Sequence, residues 1–258
     1  MWDAIIVNPM TNALLYIYSF LGQNFGLSII VFTILIRLAT YPLTANQLKS
    51  AQKLQELQKS KKWLDMQKKY ENDKEKLAQE QMKLYKEAGV NPLGSCLPTL
   101  VQFPIIIGLY GAIISALAAT PLQLLEFSKH LYSFFPNVAE VIPLNSRFLW
   151  MDLGLPERLF LPFLPDIGIP LLAILVFVTS YLQTKLTTTN MGDTGGQAAS
   201  MGKMMSIYMP LFIGYLSMTY AAGLALYFLA GNLVTIAQYA MMGRLDLKKI
   251  LPKRGEAA

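Results

Sequence analysis

An arginine stands inside an otherwise apolar stretch, VFTILIRLATYPLT, residues 31–44. Placing a guanidinium near the centre of a membrane helix costs about 2.5–3.5 kcal/mol on insertion scales, so something must offset that cost. Because Arg37 comes only about 8 Å before Pro42 along a helix, one interpretation is that its side chain extends to the membrane interface. The other interpretation is a water-filled cavity inside a helix bundle. The choice depends on the direction in which this helix crosses the membrane.

Polar residues in this stretch and in the other apolar stretches support the cavity. Each of them taken alone is also explained by a hydrogen bond between helices, which commonly holds membrane bundles together. Taken together around one cation, they favour a shared wet pocket, where reduced dielectric would strengthen attraction for a negatively charged guest. These residues are Thr33, Thr40, Thr44, Ser95, Thr99, Gln102, Thr179, Gln183, Asn232, Thr235, Gln238 and Tyr239.

Catalytic and metal chemistry has little support in this sequence. The one cysteine, Cys96, cannot form a disulfide within the chain, and the one histidine, His130, lies in a different segment. No pair of carboxylates occurs at helical spacing in an apolar stretch, and metal sites need several such ligands together. The glycine-rich segment 190–203 is followed by Met204, where a phosphate-binding loop requires Ser or Thr. We therefore predict no enzyme activity, no cofactor and no metal site.

The composition is that of a membrane protein. Of the 258 residues, 53% are apolar and 15% are charged, and the mean hydropathy is +0.38, which departs from soluble domains. Crossing about 30 Å of hydrocarbon takes about 20 helical residues. Five windows without any Asp or Glu satisfy this condition: 22–42, 93–116, 167–186, 204–220 and 221–243. Residues 1–21 lack the basic leader of a signal peptide and predict an amphipathic helix at the membrane interface.

The distribution of positive charge predicts how the spans are oriented, because cytoplasmic loops retain Lys and Arg. Segment 43–92 carries eleven lysines, segment 117–165 carries three basic residues and four acids, and five basic residues follow position 243. These segments agree on one topology, with the N-terminus outside and the C-terminus in the cytoplasm. Helical side chains lean toward the N-terminus of their helix, and in this topology the N-terminal end of the first span lies outside. The side chain of Arg37 therefore leans away from cytoplasmic water, which favours the cavity.

Segment 43–92 predicts a helical hairpin in the cytoplasm. Thr44 with Gln47, and Asn72 with Glu75, form two capping-box patterns that begin helices. Eleven lysines and seven acids give this segment a net charge of +4. That charge fits either attraction to anionic lipid heads or RNA, or a solvated face that keeps the hairpin soluble. The residues predicted to join the arms are Leu48, Leu54, Leu57 and Leu64 on the first and Leu77, Leu84 and Tyr85 on the second.

Three ordered segments resemble a known family. They are IRLATYPLTANQ, LYKEAGVNPLGSCLPTLVQFPIIIGLYGAI and AAGLALYFLAGNLVTIAQ, and they are similar to the signatures of the YidC/Oxa/Alb family of membrane protein insertases over residues 24–243. The resemblance implies an all-α membrane protein with five transmembrane helices around a hydrophilic groove that is open to the cytoplasm. We expect a bacterial short form without the large periplasmic domain or the long basic tail of other members. One departure is TYAAG, with Ala221 where proline is frequent in the family.

The resemblance also assigns residues to the groove. Arg37 matches the groove arginine of the first core span, and Thr33 matches a groove-side threonine one turn earlier. Tyr227 and Phe228 match the aromatic pair of the last span, where contacts with inserting chains are expected. Two glutamines match polar positions that line the groove. With polar residues of the last span added, the predicted substrate-binding groove comprises Arg37, Thr33, Gln102, Gln183, Tyr227, Phe228, Asn232 and Gln238.

The five apolar windows and the family resemblance together predict how the chain is divided into segments. An interfacial helix over 1–21 precedes the first span, the hairpin occupies 43–92, and the second span follows it. An extracytoplasmic loop with interfacial helices covers 117–165, a cytoplasmic loop covers 187–203, and a basic cytoplasmic tail covers 244–258.

By resemblance we expect an insertase and chaperone that draws the polar part of a nascent membrane protein into the groove and releases its apolar segment into lipid, without nucleotide hydrolysis. The implied partners are nascent membrane proteins and the lipid bilayer, with the ribosome, the signal recognition particle receptor and the Sec translocon as further candidates and no small-molecule substrate. The implied location is the bacterial plasma membrane. One alternative is a secondary transporter, which would normally carry intramembrane acids and internal repeats. The other is a purely structural assembly factor, which would tolerate loss of the groove charge.

Overall fold

A computed structural model describes residues 3–70, 73–89, 97–117, 127, 131–132, 144–161, 164–187 and 197–241, and these residues are mostly helical. A π-helical turn, Asp3–Val7, leads into the first α-helix. The α-helices are α1 (Asn8–Phe20), α2 (Phe25–Ala39), α3 (Tyr41–Lys59), α4 (Lys61–Lys69), α5 (Lys74–Glu87), α6 (Leu97–Ala116), α7 (Leu171–Thr187), α8 (Gln197–Thr219) and α9 (Ala222–Met241). Strands β1 (Arg147–Phe148) and β2 (Met151–Asp152) form one antiparallel pair, and β3 (Leu159–Leu161) and β4 (Leu164–Ile169) form another.

The chain divides into two compact units. As far as the structure describes them, the first unit comprises residues 1–39, 101–180 and 212–235, and the second comprises 40–100, 181–211 and 236–258. Most of the predicted groove residues therefore fall in the first unit. Gln183 and Gln238 fall in the second.

The first unit is held by a core to which four of its helices contribute. Ile29 of α2, Ile113 of α6, Val176 of α7 and Ala225 of α9 are all completely buried. Side chains at these positions pack helix against helix, and within a membrane such packing stabilises the bundle through van der Waals contact rather than through removal from water. This packing brings α6, α7 and α9 around α2, the helix that carries Arg37.

Helix α1 packs one face against the same core. Leu14 and Tyr18 are buried, whereas Tyr16 and Phe20 on the other face are exposed. The hydroxyl oxygen of Tyr18 also accepts a hydrogen bond from the backbone N–H of Asn145 at 3.1 Å. The helix predicted within residues 1–21 is present and has two different faces. Its location at a membrane interface stays a prediction.

The segment around β2 anchors the first turn of α9. The backbone N–H groups of Ala222 and Gly223 donate to the carbonyl oxygens of Leu155 and Leu153 at 2.8 Å and 2.9 Å. The first N–H groups of a helix have no partner within the helix, so these two bonds satisfy donors that would otherwise be orphaned. They also fix the start of α9, which is separated by two residues from the end of α8 at Thr219. The sequence TYAAG is therefore a short, hydrogen-bonded connection.

The predicted hairpin consists of three helices, and its two predicted caps are wrong. Helix α3 already begins at Tyr41, and the Thr44 hydroxyl donates to the carbonyl of Thr40 at 3.2 Å instead of capping a helix. Proline in the first turn has a φ suited to a helix, which explains the early start. Helix α5 is capped by Asp73, whose carboxylate accepts from the N–H of Lys76 at 3.1 Å. The predicted cap, Asn72, lies outside the described residues.

A small apolar cluster centres on a tryptophan within the second unit. Trp63, 1% exposed, lies with its ring centroid 5.4 Å from that of Tyr85. Leu64, which was predicted to face the second arm, is exposed. The reason is the break at Ser60, where α3 ends and α4 begins. After the break the buried face falls on different positions from those that a continuous helix would bury. The cluster contains Trp63, Met66 and Leu77, with Leu57, Tyr70, Leu84 and Tyr85 packed around it.

Among the described residues, α9 is the one helix that is long and apolar enough to cross a membrane by length and composition. Four shorter apolar stretches of 10–17 residues fall within the other four predicted windows: Phe25–Ala39, Gln102–Ser115, Leu171–Leu186 and Ile207–Thr219. The first window is shortened because a turn at Thr40 separates α2 from α3. The helical class and the order of the apolar helices agree with the prediction, and the number of spans stays a prediction.

Candidate functional site

The guanidinium of Arg37 lies against the backbone of α9 at Gly231. Arg37 is in the last turn of α2, and its side chain is partly exposed. A Cβ atom placed on Gly231 would lie 2.8 Å from Nη2 of Arg37, 3.2 Å from Nε and 3.4 Å from Cζ. The arginine therefore occupies the space that a side chain at position 231 would need. Packing of α2 on α9 brings the predicted arginine to the last helix.

Tyr227 and Gln102 are joined across two helices. Tyr227 is 1% exposed on α9, and its hydroxyl oxygen accepts a hydrogen bond from Nε2 of Gln102 on α6. Residues four apart lie on one face of a helix, so Tyr227 shares a face with Gly231. The structure thus brings together two residues from distant segments, one helical turn from the arginine contact. Their role in a groove stays a prediction.

Asn232 joins α9 to α7. Its Nδ2 donates to the hydroxyl oxygens of Thr179 at 3.1 Å and Ser180 at 2.7 Å, and the residue is buried. This is the interhelical hydrogen bonding that the sequence left open as the alternative to a wet pocket. Such bonds add roughly 0.6 kcal/mol each on average within membranes. The tie fixes the rotation of α9 at the residue next to Gly231.

The predicted threonine of α2 is buried and bonded within its own helix. Thr33 is completely buried, and its hydroxyl donates to the carbonyl oxygen of Ile29 at 2.6 Å. Thr235 does the same on α9, where its hydroxyl donates to the carbonyl oxygen of Gly231 at 2.8 Å. A threonine bonded to its own helix has satisfied its donor locally. Thr33 is thus an interior residue one turn from Arg37.

The remaining predicted groove residues have different surroundings. Phe228 is part of the apolar core of the first unit, and its ring centroid lies 5.7 Å from that of Tyr227. Gln238 is buried and Gln183 is partly exposed, and both belong to the second unit. Their place in a groove with Arg37 stays a prediction.

Sequence reasoning missed three residues: Gly231 and Ser180 in this region, and Glu157 at the start of α7. Gly231 received no attention because a glycine carries no functional group, although it stands four residues after Tyr227 and directly before Asn232. Ser180 follows Thr179 and is equally able to accept a hydrogen bond. Glu157 is buried, and its carboxylate accepts from the Leu172 backbone N–H at the start of α7. Because Glu157 is one of four acids in segment 117–165, the sequence carries no signal that distinguishes it.

The described residues contain no group of three or more His, Cys, Asp or Glu side chains that could hold a metal ion. Several residues considered from the sequence, including Cys96 and His130, lie outside the described part of the chain. The same holds for Ser95, the loop 188–196, the tail 242–258 and the side chain of Thr99.

Comparison with known proteins identifies the family. The sequence model of the 60Kd inner membrane protein family matches residues 16–249. The chain is 34% identical over 250 residues to the membrane protein insertase MisCA of Bacillus subtilis strain 168, covering 96% of this chain and 81% of that protein. The chain belongs to the YidC family of membrane protein insertases.

Other members of the YidC family extend the similarity to structure. The membrane protein insertase YidC 2 of Bacillus anthracis is 32% identical over 251 residues, covering 96% of this chain and 83% of that protein. A crystal structure of an active YidC insertase with its first transmembrane domain resolved matches with a TM-score of 0.53 and 28% identity. That match covers 86% of this chain and 43% of the longer solved chain. The resemblance inferred from the three sequence segments is confirmed.

Proposed function

We propose that this chain is a membrane protein insertase in which Arg37 attracts acidic or polar residues of a nascent membrane protein. The observation that carries the proposal is the position of Arg37, a partly exposed residue whose guanidinium lies against the backbone of α9 at Gly231. The apolar helices α2, α6, α7, α8 and α9 contain no Asp or Glu in their sequences. An acid supplied by a client would therefore bring a charge that these helices do not supply themselves.

The size of the attraction fits this role. Two opposite charges 4 Å apart attract by about 4 kcal/mol at an effective dielectric constant of about 20, against about 1 kcal/mol in water. Moving an aspartate to the centre of a membrane helix costs about 2.5–3.5 kcal/mol. Attraction and cost are of similar size, so one arginine offsets most of the barrier for one acidic residue. It does so without holding the client in a deep energy minimum.

Hydrophobic transfer supplies the driving force in this mechanism. Each methylene that the client moves from water into lipid contributes roughly 0.8 kcal/mol. The transfer free energy of an apolar segment of ordinary length therefore far exceeds the cost of moving its polar flank. The process then needs no nucleotide hydrolysis. In the proposed path the client segment leaves along α7 and α9, while Arg37 receives the polar flank.

The proposal includes the full architecture expected from the resemblance. Five transmembrane helices would surround a hydrophilic groove open to the cytoplasm, with the N-terminus outside and the C-terminus inside the bacterial plasma membrane. The segment formed by α3, α4 and α5 would receive clients or targeting factors. The ribosome, the signal recognition particle receptor and the Sec translocon are the proposed macromolecular partners, beside nascent membrane proteins and lipid.

Reconstitution in liposomes tests the function. The purified protein should insert a single-span client with an acidic tail faster than protein-free liposomes do. Arg37→Ala should slow that client and leave a matched client with a neutral tail nearly unchanged. Arg37→Lys should insert the acidic-tailed client at a rate between those of wild type and Arg37→Ala, because it keeps the charge but lacks the planar guanidinium fork. Equal insertion of both clients by wild type and Arg37→Ala would contradict the charge mechanism and favour a purely structural assembly role.

A further inference from the structure

The contact between Arg37 and Gly231 has a defined shape. Tyr227 lies one turn before Gly231 on α9, Thr235 lies one turn after it, and both of these flanking residues are buried. The missing side chain at position 231 leaves a notch on this face of the helix, and the guanidinium fills it, with Nη2 closest to the Cβ position. We call the space over Gly231, between Tyr227 and Thr235, the arginine notch.

Local backbone geometry does not explain the glycine. The φ of Gly231 lies outside the left-handed region in which glycine is favoured, and the residue sits in the middle of a regular helix. Glycine is a poor helix former compared with alanine, so this position gives up helix stability. The space that the Arg37 side chain occupies gives a reason why glycine stands at position 231.

An added methyl group would displace the arginine more readily than the helix. The three heavy atoms nearest to the Cβ position all belong to the guanidinium end of Arg37, which is the most flexible part of a long side chain. The backbone of α9 is fixed beside the notch by the bonds from Asn232 to Thr179 and Ser180. The substitution Gly231→Ala would therefore move the charge and leave the helices in place.

We propose that Gly231 is a positioning residue for Arg37, which sets where the guanidinium presents its hydrogen-bond donors to a client. This inference rests on the proposed function, since it concerns the same charge. A guanidinium has five N–H donors in a rigid planar fork. Seating that plane on a bare stretch of backbone holds the fork in one orientation, and it removes the rotamers that direct the charge elsewhere.

The test is a double-mutant cycle on insertion of the acidic-tailed client into liposomes. Gly231→Ala should insert the client more slowly than wild type, at a rate closer to that of Arg37→Ala than to that of wild type. In the Arg37→Ala background, Gly231→Ala should cause no further loss, because the group that it displaces is gone. Gly111→Ala on α6 is the matched control, since its added Cβ would lie 3.7 Å from Val7, an ordinary contact. The control should insert the client at the wild-type rate.

A second readout does not depend on activity. The ¹⁵N signals of the Arg37 guanidinium, assigned by their loss in Arg37→Ala, should shift in Gly231→Ala and stay unchanged in Gly111→Ala. The thermal midpoint of the detergent-solubilised protein should not fall in Gly231→Ala, since alanine is the better helix former.

The outcomes separate this inference from the function on which it rests. If Arg37→Ala inserts the acidic-tailed client as fast as wild type, the proposed function fails. If Arg37→Ala is slow but Gly231→Ala behaves like wild type in rate and in guanidinium signals, only the positioning role is overturned. An equal loss from Gly231→Ala in both backgrounds would also overturn it, because the glycine would then act through helix packing.

Discussion

The carboxylate of Glu157 should hold the start of α7 in place. Glu157 is 5% exposed; Oε1 accepts from the indole N–H of Trp150 at 2.8 Å, and Oε2 accepts from the backbone N–H of Leu172 at 3.1 Å. A negative charge at the first turn of a helix is further stabilised by the helix dipole. The substitution Glu157→Ala removes both bonds at once.

The size of the expected destabilisation follows from the hydrogen bond that each of the two N–H donors loses. Leu172 is 2% exposed, so its N–H is left buried without a partner, at a cost of about 2 kcal/mol. The indole of Trp150 is half exposed and can find water, so its share is about 1 kcal/mol. Glu157→Ala should therefore lower the free energy of unfolding by about 3 kcal/mol, and Glu157→Gln by about half as much because one acceptor oxygen remains. Trp150→Phe should lower it by about 1 kcal/mol.

Unfolding in mixed micelles measures these differences, and amide hydrogen exchange localises them. The amide of Leu172 should lose protection in Glu157→Ala and keep it in Trp150→Phe. Glu80→Ala removes an exposed carboxylate that pairs with Lys83 at 2.6 Å and serves as the control, with little change expected. If Glu157→Ala unfolds like wild type with unchanged protection at Leu172, the carboxylate does not anchor α7 and the reasoning is wrong.

Three further predictions concern other contacts. Trp63→Ala should lower the stability of the lysine-rich segment by about 3–5 kcal/mol, since it empties the centre of a small cluster, and limited proteolysis should cut this variant faster than Leu64→Ala. Asn232→Leu should lower the free energy of unfolding in mixed micelles by about 1–2 kcal/mol through loss of two interhelical bonds; an unchanged value would contradict that tie. The N–H of Lys76 holds the pKa of Asp73 below its usual value, so the cap should stabilise α5 fully above about pH 4 and be lost as pH falls through the lowered value. Exchange of the Lys76 amide followed from pH 7 downward checks this, and protection that stays constant at every pH down to acid unfolding would refute it.

The sequence drew attention to Arg37 because a charge in an apolar run is a strong physical signal, and its role in a groove stays a prediction. Arg37 needs something to offset its burial, and the three ordered segments placed it in a family with a matching arginine. The pairing of Gln102 with Tyr227 could be expected only as a shared groove, because no sequence rule states which residues of two separate helices touch. The structure supplies that contact.

The errors and omissions have identifiable physical causes. The phase of a helical pattern is lost at a break, so the turn at Ser60 moved the buried position from Leu64 to Trp63. Gly231 was missed because what matters at this position is that no side chain is present. That becomes apparent only when a second helix is packed against it. Glu157 was missed because the partner of a buried carboxylate, the backbone N–H of Leu172, leaves no mark in the sequence.

Reversal of charge at Arg37 together with reversal of the client charge tests the central claim most directly. The assay is insertion of a single-span client into liposomes without an imposed membrane potential, using one client with an acidic tail and a matched one with a lysine tail. Wild type should favour the acidic tail, and Arg37→Glu should insert it slowly while inserting the lysine-tailed client well, which also shows that the variant is folded. If Arg37→Glu keeps the wild-type preference for the acidic tail, attraction between this residue and the client does not drive insertion.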